Sequence, residues 1–162
     1  MSEFNLVVLG QDEAKTLWIE IKKTLEIAFN NAVFNNRFDS RSPIEEVYKA
    51  ITEPEQEGIK HILAMDPNKK ILAGFFDIPT IKSTEKDYYD VGWFFSIELE
   101  YELRHKVVDM MIEKAHELAK LAGYKYFITE MGTEAGAKYM KKKYNYVHAP
   151  IETQQNRWIK IL

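Results

Sequence analysis

The residues best suited to chemistry lie near position 100, where acidic, basic and apolar side chains alternate. Glu98 and Glu100 are separated by one residue, so their carboxylates share one face of an extended strand. A carboxylate held in a site accepts a proton, whereas one on a solvated strand edge has no such role. The basic run over residues 104–106 follows and attracts anions. These residues are the first candidates for a site, and a solvated edge is the alternative for the two glutamates.

Several common catalytic arrangements are missing from the sequence. The absence of cysteine excludes disulfides, thiolate metal sites and a cysteine nucleophile. The four histidines lack metal-ligand spacing, so no metal is expected. His61 is predicted to be structural, and His116 and His148 are predicted to be exposed. Neither a nucleophile elbow nor a Walker-type phosphate loop is present.

The composition is that of one globular domain over residues 1–162. Apolar residues make up 46% and charged residues 29%, and the formal net charge of −3 lacks the basic excess of a general nucleic-acid binder. No stretch approaches the roughly 20 apolar residues that span a bilayer, and the N-terminus lacks the features of a signal peptide. We therefore expect a cytoplasmic protein that binds neither membranes nor nucleic acids in general.

Hydrophobic periodicity predicts an α/β (α+β) domain with the element order β-α-α-β-β-β-α-β-α-β-β. The predicted strands cover residues 5–9, 59–65, 71–77, 88–99, 124–129, 146–147 and 157–162. The predicted helices cover residues 13–29, 42–51, 103–122 and 134–143. Asp12 is the expected N-cap of the first helix, and Pro79 is expected to end the hairpin. Gly123 and Asn145 are expected to end the last two helices in the left-handed conformation.

Four short motifs in the second half of the chain have counterparts in one superfamily. Asp90–Trp93 looks like an acidic-aliphatic-Gly-aromatic strand entry, and Leu99–Lys106 is similar to the phosphate-binding pattern Val-x-Pro-x-x-Arg-Gly-Lys. Ala119–Tyr124 looks like the helix end that follows, and Ala137–Tyr146 resembles the ending Ala-x-x-Leu-Tyr-x-x-Leu-Gly-Phe. Together with the element order, they resemble the GNAT superfamily of acyl-CoA-dependent N-acyltransferases over nearly the whole chain.

The resemblance implies a mixed, mostly antiparallel sheet flanked by helices, with acetyl-CoA as cosubstrate. In that superfamily acyl-CoA lies in a splay between the fourth and fifth strands. Backbone N–H groups at the start of the third helix hold its pyrophosphate. An amine of a small molecule or of a protein is the implied acceptor, and the chain is a candidate homodimer. The implied cofactor-binding residues are Leu99, Arg104, His105, Lys106, Val107 and Val108.

The phosphate-binding segment lacks the two glycines of the superfamily pattern. Alignment on Arg104 places Val107 and Asp109 at the glycine positions, whereas alignment on the helix end places Lys106 and Val108 there. The two registers predict different sites, because lysine attracts phosphate and aspartate repels it. Both registers stay open at the level of sequence.

The resemblance also implies a general base from the fourth strand and a tyrosine that protonates the leaving thiolate. Glu98 adjoins the position whose backbone meets the acyl group, so it is the predicted base. The position of the acid, counted back from Asn145, falls on Lys141, with Tyr139 and Tyr144 nearby but out of register. Tyr139 is the predicted acid, and a solvated face is the alternative for the lysines around it.

Three functions are compatible with the sequence. The first is an N-acyltransferase that moves an acetyl group from acetyl-CoA to an amine. The second is a degenerate GNAT-like domain without acyl transfer that acts as a binding or regulatory module, which the missing glycines and the displaced tyrosine favour. The third is a different reaction on the same fold, because a fold does not fix a function.

Overall fold

The structure is a computed structural model that describes residues 3–29, 43–53, 58–82, 85–90, 94–130, 134–148 and 157–162. Its helices are α1 (Gln11–Thr16), α2 (Trp18–Phe29), α3 (Pro43–Thr52), α4 (Tyr101–Ala122) and α5 (Glu134–Tyr144). Its strands are β1 (Asn5–Leu9), β2 (Ile59–Met65), β3 (Ile71–Pro79), β4 (Tyr88–Asp90), β5 (Phe94–Ser96), β6 (Tyr126–Glu130), β7 (Val147–His148) and β8 (Arg157–Ile161). The predicted class and element order are confirmed, with one additional helix and one additional strand.

The described strands form two four-stranded sheets, in the orders β1-β2-β3-β5 and β4-β6-β8-β7. All pairs are antiparallel except β4 with β6, which confirms the mostly antiparallel sheet. The single strand predicted over residues 88–99 is wrong, because β4 belongs to one sheet and β5 to the other. Aromatic residues favour strand throughout this stretch, and propensity does not show a change of partner. Residues 91–93 of the strand-entry motif lie outside the described residues.

The first sheet is buried on both faces. Alternate residues of its strands point to opposite sides, so Ile62 and Phe75 pack with α4 whereas Leu63 and Phe76 pack with α1, α2 and α3. Phe95 belongs to the second of these cores and stacks on Phe76 with ring centroids 5.5 Å apart. This sheet is the rigid platform from which α4 begins.

The first predicted helix is divided into two at Leu17. Its N-cap is Gly10 rather than Asp12, since the N–H of Ala14 donates to the carbonyl of Gly10 at 3.0 Å. The carboxylate of Glu13 accepts from the N–H of Gly10 at 3.3 Å, which satisfies a donor that an Asp12 cap would leave open. Leu17 closes α1 with N–H contacts to the carbonyls of both Glu13 and Ala14, and α2 begins at the next residue.

The later helix ends are where the sequence predicts them. Gly123 has a φ of 100° and Asn145 a φ of 58°, so both adopt the left-handed conformation that ends a helix. Pro79 ends the hairpin as expected, since it is the last residue of β3, opposite Ile59. The helix α4 begins at Tyr101, two residues before its predicted start.

Candidate functional site

The two sheets separate beside β6. Tyr88, Tyr89 and Asp90 of β4 pair in parallel with Tyr126, Phe127 and Ile128 of β6. Phe94, Phe95 and Ser96 of β5 pair instead with β3, in the other sheet. The chain bends after β5, because Phe95 packs in one core and Ile97, two residues later, in the other. The result is a splay between β5 and β6.

The helix α4 follows β5, with four residues between the two elements. Glu100 is the N-cap and its side chain makes no capping hydrogen bond. The first helical hydrogen bond runs from the N–H of Arg104 to the carbonyl of Glu100 at 2.8 Å. The N–H groups of Tyr101, Glu102 and Leu103 therefore have no acceptor within the helix and form its positive end.

This geometry corrects the predicted phosphate-binding turn over Arg104–Val108. These residues are the fourth to eighth of α4, so their N–H groups are directed at helical carbonyls and do not line an open turn. The cause is the missing glycines: leucine, arginine and lysine favour the helix, so it continues through the segment that glycine would keep open. The donors available to an anion move back to residues 101–103.

The predicted cofactor-binding side chains point in different directions. The side chain of Val107 is fully buried in the core and that of Val108 partly so. Leu99 is half-buried against the same core. Arg104 and Lys106 are exposed and His105 is half-buried, so these three stay candidates for ligand contact.

The glutamates lie on the solvent side of the segment that links β5 to α4. Ile97 is buried and Leu99 half-buried, whereas Glu98 and Glu100 are exposed, which confirms the predicted alternation. Glu102 is also exposed in the first turn of α4. The start of the helix therefore carries three carboxylates as well as its free N–H groups, and the role of Glu98 as base stays a prediction.

A polar cluster that the sequence analysis did not find joins α4 to α5. Asp109 accepts hydrogen bonds from the hydroxyl of Tyr139 at 2.5 Å, from the hydroxyl of Tyr144 at 2.7 Å and from the ammonium of Lys143. The Tyr139 oxygen also lies 3.3 Å from Nδ1 of His105. The signal available in the sequence is the four-residue spacing of His105 and Asp109, which puts both on one face of a helix. We call these five residues the Asp109 cluster.

The contacts within the Asp109 cluster shift the pKa values of Asp109, Tyr139 and Tyr144. Burial raises the pKa of Asp109, but the hydrogen bonds from Lys143, Tyr139 and Tyr144 lower it by more than burial raises it. The pKa of Asp109 therefore lies below its ordinary value. Burial and the hydrogen bond to Asp109 raise the pKa of Tyr139, and burial with the same carboxylate raises that of Tyr144. Tyr139 therefore directs its proton at Asp109, and its role as the acid stays a prediction.

The two registers left open by the sequence can now be compared. Asp109 is directed at α5 and its charge is taken up by Lys143, so in neither register does it oppose a phosphate at the start of α4. Lys141, at the position of the superfamily's tyrosine, is exposed together with Lys142, as the solvated-face alternative predicts.

His61 is buried and His116 is half-buried. His61 accepts at Nδ1 from the N–H of Asp77 at 3.2 Å, and burial, then the charge of Lys60, lowers its pKa to about 4. This agrees with its predicted structural role. His116 is not exposed as predicted, because its Nε2 lies 2.6 Å from the hydroxyl of Tyr146. Burial, then Lys160, lowers the pKa of His116 to about 4.

Two negative findings apply to the described ranges only. No helix in them combines the length and the apolarity that crossing a bilayer requires. No three histidine, aspartate or glutamate side chains in them lie together as a set of metal ligands.

The splay and the helix that starts at its end can be compared with known proteins. No protein-family model matches the sequence, and no curated protein matches it. Solved structures do match, over nearly their whole length. A GNAT-family acetyltransferase from Staphylococcus aureus Mu50 superposes with a TM-score of 0.66 over 99% of both chains, at 10% identity. The chain has the GNAT fold.

Other solved structures with the GNAT fold agree. GCN5 from Tetrahymena matches with a TM-score of 0.62 over 97% of this chain and 95% of its own, at 12% identity. A GNAT-family acetyltransferase from Brucella melitensis, solved in complex with acetyl-CoA, matches with a TM-score of 0.59 over 100% of this chain and 90% of its own, also at 12% identity. This chain is a divergent example of the fold.

Proposed function

We propose that this protein is an acyl-CoA-dependent N-acyltransferase that moves an acetyl group from acetyl-CoA to an amine of a small molecule or a protein. The observation that carries the proposal is the splay between β5 and β6, with the uncapped start of α4 at its end. Acyl-CoA lies in this splay in the GNAT superfamily, and the Brucella relative is a complex with acetyl-CoA. A cytoplasmic location is part of the proposal.

The start of α4 offers two kinds of contact to the pyrophosphate. The N–H groups of residues 101–103 are free donors at the positive end of a 22-residue helix. The exposed side chains of Arg104 and Lys106 add positive charge one turn further on. Since Glu98, Glu100 and Glu102 stand at the same end, the two cations offset their repulsion of an anion.

The reaction needs the amine to lose a proton as it attacks the thioester. The amine nitrogen bonds to the carbonyl carbon, the carbon–sulfur bond breaks, and the sulfur leaves with the electron pair. Glu98 is proposed to take the amine proton, because it lies two residues after β5, beside the position whose backbone meets the acyl group in the superfamily.

The second candidate function is a GNAT-fold module that binds or regulates without acyl transfer. Two observations favour it: the segment that is a glycine-rich turn in the superfamily is helical here, and the proton of Tyr139 is directed at Asp109. Both candidates predict a folded domain, so only binding and turnover separate them.

Calorimetry with acetyl-CoA is the experiment that separates the two functions. The acyltransferase should bind acetyl-CoA, and Arg104→Ala with Lys106→Ala should weaken binding by about 1–3 kcal/mol, the range of charge-assisted hydrogen bonds. Added salt should also weaken parental binding, because exposed charge pairs are screened over about 10 Å at 0.1 M. The control is Lys120→Ala, which removes an exposed lysine from the last turn of α4. A folded parent that gives no heat at near-millimolar acetyl-CoA would overturn the acyltransferase function and favour the second.

Glu98→Gln tests the base separately from the binding site. With Glu98 as base, kcat at neutral pH should fall by about 10²-fold or more, while the affinity for acetyl-CoA stays within twofold. Glu100→Gln is the matched control, since it removes an exposed carboxylate two residues away on the same segment. If both variants keep the parental rate and pH profile, the base is another group or solvent.

A further inference from the structure

The hydrogen-bond pattern of the Asp109 cluster fixes where its protons lie. An ionised carboxylate only accepts hydrogen bonds, so the single hydroxyl proton of Tyr139 points at Asp109, 2.5 Å away. The Tyr139 oxygen is then left as an acceptor for His105, whose Nδ1 is 3.3 Å away. Nδ1 must therefore carry a proton and donate it, which leaves Nε2 as the nitrogen of His105 that makes no contact within the Asp109 cluster.

The topology brings His105 to the side of the splay. The helix α4 follows β5 and α5 follows β6, so the two helices leave the two strands that diverge. His105 is the fifth residue of α4 and Tyr139 the sixth of α5, and their contact joins the first halves of both helices. The imidazole is half-buried, under the ring of Tyr101 at a centroid distance of 4.3 Å. It is thus partly shielded from solvent without being sealed in the core.

We propose that His105 is the general acid that protonates the leaving thiolate, with Tyr139 and Asp109 as positioning residues. The proposal rests on the acyltransferase function above and assigns to His105 the role that the sequence had given to Tyr139. As the carbon–sulfur bond breaks, sulfur takes its electron pair and the Nε2 proton of the imidazolium. The amine proton goes to Glu98, and proton exchange with solvent restores both groups, so charge and protons balance.

The groups that face His105 come from two helices. Tyr101 packs on it from its own helix and Tyr139 from α5, and Asp109 and Lys143 lie one hydrogen bond further. Arg104 and Lys106 are its neighbours in sequence. The carboxylate of Asp109 acts on His105 through Tyr139, which holds the Nδ1 proton in both protonation states and leaves Nε2 free to exchange.

The chain offers a matched pair of variants that separates this relay from simple structural support. Tyr139→Phe and Tyr144→Phe each remove one hydroxyl that donates to the same oxygen of Asp109, but only Tyr139 reaches His105. Nitrogen NMR of the imidazole at a pH where it is neutral should show Nδ1–H in the parent and in Tyr144→Phe. Tyr139→Phe should lose that preference. A parent with its proton on Nε2, or equal behaviour of the two variants, would overturn the relay.

The role of His105 itself is tested by the split between rate and binding in His105→Gln. Thiol release from acetyl-CoA, with ethanolamine as the acceptor probe and with water alone, should fall by about 10²-fold or more. The dissociation constant for acetyl-CoA should stay within twofold. A weakened affinity with an unchanged rate would overturn the proposal and make His105 a phosphate ligand.

Two further outcomes keep this inference distinct from the function it rests on. A parent that binds acetyl-CoA but releases no thiol overturns the general-acid role and leaves the cosubstrate site. A folded parent that binds no acetyl-CoA overturns the acyltransferase function and His105's role in it together. The NMR comparison still decides whether the relay exists, because it needs no ligand.

Discussion

The two long faces of α4 are held by different interactions. The face toward the first sheet is apolar, with Val107, Met111, Ile112, Ala115 and Ala119 buried against β2 and β3. The face toward α5 is polar: Asp109 accepts three hydrogen bonds there, and His116 further along bonds to Tyr146. The first face therefore stabilises the fold by burying apolar surface. The second stabilises it by hydrogen bonds, and the loss of one partner leaves the other unsatisfied.

This difference indicates which face of α4 can carry functional groups. The apolar face tolerates no polar group and fixes the position of α4 on the sheet. The polar face holds groups that can titrate, and it lies between the two helices that leave the splay. Substitutions on one face or the other should therefore differ in how much they change the free energy of unfolding and in how that change depends on pH.

The largest expected effect is on the apolar face. Ile112→Asp places a carboxylate where the parental side chain is 4% exposed, so the domain should lose about 4 kcal/mol or more and fail to fold stably. Leu121→Asp is the control on the same helix, because Leu121 is 75% exposed and its variant should lose less than about 1 kcal/mol. Circular dichroism during thermal unfolding measures both, and similar melting temperatures would contradict the assignment of faces.

The next effect is the pH dependence that His116 imposes. Its pKa is about 4 in the folded chain against an ordinary 6.5, so only the unfolded chain binds the proton between these values. Protonation of His116 therefore leaves the free energy of unfolding unchanged above pH 6.5. As the pH falls from 6.5 toward 4, the free energy of unfolding decreases by about 3 kcal/mol. Urea unfolding of the parent and of His116→Gln at about pH 7 and 4.5 measures it. The variant should lose about 2 kcal/mol less than the parent on acidification, and equal losses would show that His116 is not the cause.

A smaller effect is expected from Asp109→Asn at neutral pH. The amide keeps the volume but removes the charge and part of the acceptor capacity for Tyr139, Tyr144 and Lys143, so the free energy of unfolding should fall by about 1–3 kcal/mol. Glu113→Gln is the control, since Glu113 is an exposed carboxylate one turn further along α4. If the two variants unfold at the same urea concentration, the cluster contributes nothing to stability.

The smallest expected effect is that of Tyr144→Phe. It removes one neutral donor to a carboxylate that keeps two others, so the cost should be about 1 kcal/mol. Urea unfolding is the measurement, and the sum of this cost with that of Tyr139→Phe should differ from the cost of the double variant, because the two hydroxyls share one acceptor oxygen. Strict additivity would indicate that they act independently.

Much of the fold was predictable because it rests on local signals. The periodicity of α4 and the left-handed glycine at its end depend on residues within a few positions of each other. The predicted start of α4 was two residues late, because the exposed residues of its first turn add nothing to the apolar periodicity. The strand over residues 88–99 was misread because β4 and β5 differ in their partners and not in their residues.

The candidate site was predictable only in part. Arg104, His105 and Glu98 were found because charge and position along the chain can be read directly. The sequence singled out Asp109 only as a residue that replaces a glycine of the superfamily pattern. Its hydrogen-bond partners were not predictable, since they lie 30 to 35 residues away on another helix. The hydrogen bond from Tyr139 to Asp109 was not predictable, because nothing in the sequence around Tyr139 shows which group accepts from its hydroxyl.

The sequence by itself determined the element order, the apolar face of α4 and the absence of the superfamily's glycines, because each depends on residue types and short spacings. Only the tertiary structure decided that the chain changes sheets between β4 and β5, that Val107 is core, and that His105, Tyr139 and Asp109 form one hydrogen-bonded chain. The physical reason is that a proton's location depends on which groups meet in space. Here that meeting is set by the packing of α4 against α5 and not by the order of residues in either helix.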